Sequence, residues 1–470
     1  MTDTLMVGVS GVRGLVGQDL TPEVVTRWAA AFGRWAGRRG PGVVVGRDSR
    51  QSGPSFAAAA RAGLGAVGCD VIDVGLAATP TIQLAVEHHG VGGGIAITAS
   101  HNPIEWNALK FIGPDGIFLD EADGAQVAAL AAEPVAGAPR HSQLRADEQA
   151  TARHVDAVLR LPVLDVERIR QAKFTVALDT VRGAGGPLMR PLLERLGCEV
   201  VGINLEADGR FPRPPEPVPE HLGALAELVH ASGVALGLAV DPDVDRLAIV
   251  DERGAPIGED YTLAFAVRAV LGQTTARGRD GTAPRGRGGG DVPHADQAVV
   301  VCNLSTSLVV EDAARAYGAS VVRTPVGEAH VARAIKALGA PIGGEGNGGV
   351  MYPPLHVGRD APVAAALVLA LLARERRQVS ELVAAAPRYV IVKAKVPRGP
   401  ALEPVYGALR RAFADAAPDA QDGLRLAWPD RWLHVRPSNT EPVIRLIAEA
   451  PTRAAAQHLV EEGRRLCGAS

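Results

Sequence analysis

Aromatic residues are scarce in this chain: Phe, Trp and Tyr together make up 4% of its 470 residues. A protein that grips single-stranded nucleic acid needs aromatic stacking platforms, and few are on offer. A basic field is also missing. The formal net charge is -3, so neither a phosphate backbone nor an anionic membrane meets a counter-charge. The only cysteines are Cys69, Cys198, Cys302 and Cys467. No two are spaced as C-x-x-C, so neither a disulfide framework nor a zinc site is suggested. The N-terminal stretch holds no signal-peptide core, and no apolar run reaches about 18 residues free of charge or helix breakers. These absences predict a reduced, soluble, cytoplasmic protein with no nucleic-acid and no membrane partner. Lysine is rare beside Arg, Gly, Ala and Pro, a bias that reflects a GC-rich genome rather than a function.

Hydrophobic residues make up 47% of the chain and charged residues 21%, enough to bury real cores. The length predicts about three or four domains. One unit repeats. Val43-Val44-Val45 reads as a strand, Ser55 to Val67 as a helix, and Gly68-Cys69 as a helix stop before a second strand. The same order recurs from Phe174 to Val201 and from Ala298 to Val322. Three such units predict three related α/β domains, each pairing its strands in parallel through a right-handed crossover. Composition shifts place the domains at residues 1–150, 151–258, 259–380 and 381–470. A linking helix is expected over 151–161. Residues 272–297 are rich in Gly, Arg, Asp and Pro and cannot bury surface to offset their ordering entropy, so they read as a flexible insertion. Beyond about Arg388 the pattern changes to short strands, Tyr389 to Val396 and Trp432 to Arg436, and a closing helix from Thr452. That predicts a smaller α+β domain. Near the start, Thr21-Pro22-Glu23 opens a helix with Thr as N-cap and Pro in the first position. Arg13 lies in the Gly-rich stretch before it, either as a surface charge or as an anion-binding guanidinium.

Three polar clusters carry chemistry, besides a serine. Ser100 follows the apolar strand Gly94 to Ile97 within Thr98-Ala99-Ser100-His101-Asn102-Pro103. A hydroxyl in a polar, Pro-terminated turn at a sheet edge is a candidate nucleophile that still needs an activator. Asp241, Asp243 and Asp245 alternate at the end of the apolar run Leu236 to Val240. Hard oxygen ligands at this density suit Mg²⁺. A calcium loop of the EF-hand kind is excluded, because Arg246 stands where glycine is required and the flanks are strands. Gly343 to Gly349 holds five glycines around Glu345 and Asn347, bringing backbone, acceptor and donor close to a sugar diol. Arg436, Ser438, Asn439 and Thr440 combine a guanidinium, hydroxyls and an amide in a nest for an oxyanion.

These four motifs, in this order and spread over the chain, resemble the α-D-phosphohexomutases, which include phosphoglucomutase, phosphomannomutase and phosphoglucosamine mutase. The resemblance implies three similar α/β domains with mixed sheets and a smaller C-terminal α+β domain around a central cleft. It implies a phosphoserine loop at Ser100, a metal loop at Asp241 to Arg246, a sugar loop at Glu345 to Gly349 and a phosphate loop at Arg436 to Pro442. Ser100 would carry a phosphoryl group and, with Asp241, Asp243 and Asp245, would hold one Mg²⁺. It would pass the group to a hexose monophosphate through a hexose 1,6-bisphosphate that is both intermediate and activator. A phosphoserine of almost -2 among three aspartates demands cations; Arg13, Lys110 and Arg246 are the candidates. Lys110 serves as a general acid/base if neighbouring charges lower its pKa, and His101 either orients the nucleophile or is held structurally. The partners implied are sugar phosphates, and the chain is a monomer or homodimer. The fourth domain is expected to close as a lid. The wording Ile104 to Lys110 favours glucosamine phosphate slightly over glucose or mannose phosphate. A serine phosphatase and a non-catalytic sugar-phosphate sensor are the rival classes. One departure stands out: relatives with an acid/base His in the sugar loop differ from this chain, which has Gly349. His356 and Arg359 are the candidates to stand in for it.

Overall fold

The computed structural model describes residues 5–8, 11–134, 141–279, 298–397, 401–438 and 443–468, with backbone alone over 274–279. Its strands form four sheets. The first contains β1 (Met6–Gly8), β2 (Gly11–Leu15), β3 (Val43–Arg47), β4 (Val71–Leu76), β5 (Gly94–Ile97), β6 (Trp106–Ile112) and β7 (Leu144–Ala146), in the order β1-β2-β6-β5-β3-β4-β7. The second contains β8 (Thr175–Asp179), β9 (Glu199–Ile203), β10 (Leu236–Val240) and β11 (Leu247–Val250), in the order β11-β10-β8-β9. The third contains β12 (Val299–Asn303), β13 (Ser320–Thr324), β14 (Ile342–Glu345) and β15 (Gly349–Met351), in the order β13-β12-β14-β15. The fourth is antiparallel: β16 (Val390–Pro397), β17 (Ala417–Asp419), β18 (Leu424–Ala427), β19 (Trp432–Pro437) and β20 (Val443–Ala450), in the order β16-β20-β19-β18-β17.

The repeat seen in the sequence is larger than it looked. In each of the first three sheets a strand pairs in parallel with the next one in sequence, and also with a third strand, which then turns back into an antiparallel fourth. The mixed sheets are therefore three copies of one four-stranded unit. The central strands are apolar on both faces, as parallel strands sandwiched by helices must be; β5, β10 and β14 are buried throughout. The same topology puts three of the four polar motifs at one place, the turn between the third and fourth strands. Ser100 lies between β5 and β6, the aspartates between β10 and β11, and Gly346 to Gly348 between β14 and β15. Ser100 thus leaves the end of an inner strand rather than a sheet edge.

One helix organises the middle of the molecule. Ala361–Glu375 buries 12 of its 15 residues, and Asp360 caps it by accepting from Val363 N–H. A helix apolar all round belongs in a core, and this one packs on the helix Asp260–Arg279. The hydrophobic cores of the second and third sheets are continuous around it, whereas the fourth sheet keeps a core of its own, with Leu424, Leu446 and Val460.

Several local readings hold. Thr21 caps the helix Pro22–Ala36, the linking helix runs Ala150–Leu159, and Thr452 caps the closing helix Arg453–Leu466. Two differ. The stretch around Arg13 is a β-hairpin, β1 paired with β2, that extends the first sheet. The helix Asp260–Arg279 runs into the segment read as a flexible insertion, because its first turns are anchored by buried Leu263, Phe265 and Val267 and helix propagation adds a backbone bond for each further residue. Residues 280–297 of that segment lie outside the described residues. No helix among the described residues is long and apolar enough to cross a membrane.

Candidate active site

Ser100 sits in the left-handed region, with φ 48°, a conformation non-glycine residues rarely adopt and that persists only where the surroundings impose it. Here they do. Thr98 Oγ1 accepts from Ser100 N–H at 2.9 Å and donates to Asp48 at 2.6 Å. Arg50, fully buried, donates to the carbonyls of Ser100, Asn102, Pro103 and Trp106 at 2.6–2.9 Å and pairs with Asp48. One guanidinium therefore gathers the backbone of the serine loop. No motif in the sequence marks Arg50; its only signal is a run of charges directly after a strand.

The serine hydroxyl reaches into the second domain. Ser100 Oγ donates to Asp241 Oδ2 at 2.8 Å, and both residues are buried. The three aspartates are fully buried, and one carboxylate oxygen from each lies within 4.8 Å of the others. Backbone N–H groups of Asp245 and Arg246 close the loop onto Asp241 Oδ1 at 3.2 Å each. Asp243 Oδ2 accepts from Lys110 Nζ at 2.7 Å and from Thr79 Oγ1 at 2.8 Å. Asp245 Oδ2 accepts from Arg359 at 2.6 Å. Burial and the neighbouring Asp245 and Asp243 charges push Asp241 well above the usual carboxylate range. Burial works on Asp243 in the same direction, but Lys110 and Thr79 outweigh it and hold Asp243 below that range. Asp243 Oδ1 and Asp245 Oδ1 are buried with no hydrogen-bond partner. Buried carboxylate oxygens without partners are costly. Hard anionic donors left open at one point fit a hard divalent cation such as Mg²⁺.

Two more cations bond to residues of the serine and metal loops and to Glu216. Arg13 donates to Asn102 Oδ1 at 2.8 Å. Arg246 reaches Glu216 at 3.4 Å, with its Nε 3.7 Å from Asp245. His101 Nδ1 lies 3.4 Å from Ser100 Oγ. The Arg246 charge, burial and the Arg13 charge hold its pKa well below the ordinary imidazole value, so the ring is neutral at pH 7. Arg13, His101 and Asn102 line a cavity of about 1250 Å³ whose opposite wall includes Lys393, Arg445 and Glu449 of the fourth domain.

The sugar-loop residues join this group through one side chain. Arg359 donates to Glu345 Oε2 at 2.8 Å, Glu328 Oε2 at 3.0 Å and Asp245 Oδ2. Glu345 also accepts from Asn303 at 2.8 Å and Gly327 N–H at 3.1 Å. Burial pushes Glu345 up, yet Arg359 and Asn303 leave its pKa below the ordinary value. Asn347 closes the loop by accepting from Gly349 N–H at 3.1 Å. Both stand-ins for the absent His are committed to buried partners. Burial disfavours charge on Arg359, but Asp245, Glu328 and Glu345 together raise its pKa well above normal. Both ring nitrogens of His356 are engaged, Nε2 with Asp360 at 2.9 Å and Nδ1 as acceptor from Gly358 N–H at 3.1 Å. A Cβ on Gly349 would stand 2.2 Å from Arg359 Cδ, so a side chain there and this arginine exclude one another.

The phosphate-loop residues stand apart. Arg436 lies on β19 with its Nε 2.9 Å from Asp422, and Ser438 N–H donates to Val443 O at 2.9 Å. Asn439 and Thr440 lie outside the described residues. The fourth sheet docks on the third through Glu449, which accepts from Leu308 N–H at 2.9 Å, Trp432 Nε1 at 2.6 Å and Ser307 Oγ.

Comparison with known proteins returns one family over the chain. Models of the phosphoglucomutase/phosphomannomutase α/β/α domains I, II and III match residues 4–135, 152–254 and 289–389, and the C-terminal domain model matches 391–466. A phosphoglucomutase/phosphomannomutase of Thermococcus kodakarensis is 37% identical, covering 98% of each chain. A probable phosphoglucosamine mutase of Methanopyrus kandleri is 36% identical, covering 97% of this chain and 96% of its own. The crystal structure of a phosphoglucomutase/phosphomannomutase family protein from Burkholderia thailandensis superposes with a TM-score of 0.82 at 27% identity, covering 99% of this chain and 97% of the other.

Proposed function

This chain belongs to the phosphoglucomutase/phosphomannomutase family, and from that premise we propose that Ser100 relays a phosphoryl group between the 1- and 6-positions of a hexose, with glucosamine phosphate preferred. The protein is a phosphohexomutase, an isomerase that works by intramolecular phosphoryl transfer. The observation that carries the Ser100 assignment is its Oγ at 2.8 Å from Asp241 Oδ2, two groups brought together from different domains. Ser100 is carried as phosphoserine and gives its phosphoryl to the free hydroxyl of a hexose monophosphate. The bisphosphate turns over in the cleft and returns its other phosphoryl to Ser100. Such transfer asks for positioning and charge stabilisation more than covalent chemistry. Mg²⁺, held by Ser100, Asp241, Asp243 and Asp245, would supply part of the positive charge that a phosphoserine of about -2 requires.

The chain's own residues do the rest. Arg50 fixes the strained serine turn. Arg13, Lys110 and Arg246 balance the carboxylates and the transferring group. His101, its Nδ1 3.4 Å from Ser100 Oγ, orients the hydroxyl. Glu345 and Asn347 receive the sugar hydroxyls. Arg436, Ser438, Asn439 and Thr440 hold the phosphate that is not reacting, on a fourth domain that swings over the ligand.

The test is a side-by-side assay of glucosamine, glucose and mannose 1-phosphates with Mg²⁺, and mass spectrometry of the Ser100 peptide. We expect 6-phosphate product, the highest kcat/KM for glucosamine 1-phosphate, and a species heavier by about 80 Da. Free phosphate without isomerisation would instead make the protein a serine phosphatase. A lead for glucose or mannose 1-phosphate would favour the second reading, which the name of the Thermococcus relative supports.

A further inference from the structure

Among the described residues, Arg359 is the one side chain that hydrogen-bonds both the metal loop and the sugar loop. Its three arms are each spent on a different carboxylate: Nε on Glu328 at 3.0 Å, Nη1 on Glu345 at 2.8 Å and Nη2 on Asp245 at 2.6 Å. Arg359 and its three partners are all buried, where a guanidinium fork fixes direction as well as charge. The backbone around it stitches the same two loops. Leu247 N–H, just after the metal loop, donates to Gly348 O of the sugar loop at 3.0 Å, and two residues past Arg359 the helix start is tied to the metal loop by Ala361 N–H, which donates to Val244 O at 3.2 Å. Arg359 also decides which oxygen of Asp245 is left open. It occupies Oδ2, while Oδ1 is buried without a hydrogen-bond partner, 3.7 Å from Arg246 Nε.

We propose that Arg359 is a positioning residue that couples the two loops, so that a divalent cation at Asp241, Asp243 and Asp245 and a hexose phosphate at Glu345 each tighten the binding of the other. The inference rests on the function proposed above. A sugar whose hydroxyls hold Glu345 holds the guanidinium, and with it Asp245, in the cation-ready arrangement. A cation that holds Asp245 leaves the guanidinium set for Glu345. Whichever ligand binds first bears the ordering cost for the second, and thermodynamic linkage makes the effect reciprocal. The small residue at Gly349 is part of the device, since a Cβ there would strike Arg359 Cδ at 2.2 Å.

The experiment titrates the full chain with Mn²⁺, read by electron paramagnetic resonance, without and with saturating glucosamine 6-phosphate. For the wild type we expect the Mn²⁺ Kd to fall at least fivefold when the sugar phosphate is present. In Arg359→Lys, which keeps the charge and loses the fork, that ratio should fall below twofold with the circular dichroism spectrum unchanged. If Arg359→Lys does not fold, Gly349→Ala displaces the stem of the arginine while keeping its charge, and the ratio should drop there too. A folded variant of either kind that retains the full ratio overturns the proposal, as does a wild-type ratio of one. Calorimetry separates this from failure of the mutase reading. Sugar phosphate that binds with a Mn²⁺ ratio of one overturns the coupling alone, and a wild type that binds no hexose phosphate overturns both.

Discussion

The metal loop, 241–246, and the sugar loop, 345–349, occupy the same position in their sheets, yet they are built by opposite means. Each links an inner parallel strand to an antiparallel partner. In the metal loop, carboxylates are packed so closely that their charge must be met from outside, by Lys110 and Thr79 of the first domain and Arg359 of the third. Val244 even holds φ 62° there, a conformation costly for a β-branched residue that full burial enforces. Between Glu345 and Gly349 the sugar loop instead keeps one side chain, Asn347, between two glycines. A Cβ on Gly346 would lie 2.2 Å from Asp260 Oδ1, and one on Gly348 would lie 2.3 Å from Leu247 O. The fold supplies equivalent sites, and the residues on them decide whether a site becomes an electrostatic trap or a close-fitting backbone cradle.

Breaking the shared chemistry should have the largest effect. Ser100→Ala leaves both loops intact and removes the hydroxyl they serve. We expect mutase turnover to fall by about 10⁴-fold or more, as when a nucleophile that acts as part of a unit is deleted. Wild-type turnover in this variant would remove Ser100 from the mechanism. Next comes the electrostatic loop itself. Asp243→Asn keeps its shape but halves its grip on a cation and on Lys110. A loss of about 10²–10³-fold in Mg²⁺-supported activity is expected, on the scale of removing one charge-stabilising group from a reaction centre. Chelation of the wild type should reproduce that loss, and activity insensitive to both treatments would dismiss the metal.

The cradle is tested by stability instead. Gly348 has φ 85°, so Gly348→Ala combines left-handed backbone with a clash. It should cost about 1–3 kcal/mol and lower the melting temperature, whereas an unchanged Tm would mean that the close approach to Leu247 relaxes freely. The smallest effect is expected far from both loops. His434 is buried between Ser305 and the Asp422 carbonyl, at 2.8 and 2.7 Å, and burial pulls its pKa down to about 4. The folded state therefore binds fewer protons than the unfolded one. Its contribution is full above the unfolded value near 6.5 and is lost as pH falls toward 4, by no more than about 1.4 kcal/mol per pH unit. Tm measured from pH 7 down to pH 5 should fall less steeply in His434→Gln than in the wild type; parallel slopes would acquit His434.

Much of this was legible because local patterns carry it. Apolar runs ending on Gly, Pro and polar residues marked the strands that deliver Ser100 and Asp241, and Thr21 and Thr452 announced their helices. What was not legible depends on distance along the chain. Thr79 carries no motif, yet it bonds Asp243, 164 residues away. Arg50 looked like one more turn charge until its four carbonyl partners came into view. Arg359 was considered only as a substitute acid, because nothing local reveals three carboxylates converging on it from 14, 31 and 114 residues away. The helix that continues to Arg279 misled in the other direction: its polar composition hid an element already nucleated by buried residues upstream.

The amino-acid sequence by itself determined the repeating α/β units and which residue types stand at the ends of their strands, since hydrophobic periodicity and turn chemistry act over a few residues. Tertiary structure alone decided that a serine from one unit meets an aspartate from the next, and that one arginine answers three carboxylates. Buried charges have to be compensated by whatever the packed domains bring within about 3 Å, and that partner is chosen by docking, not by neighbours along the chain.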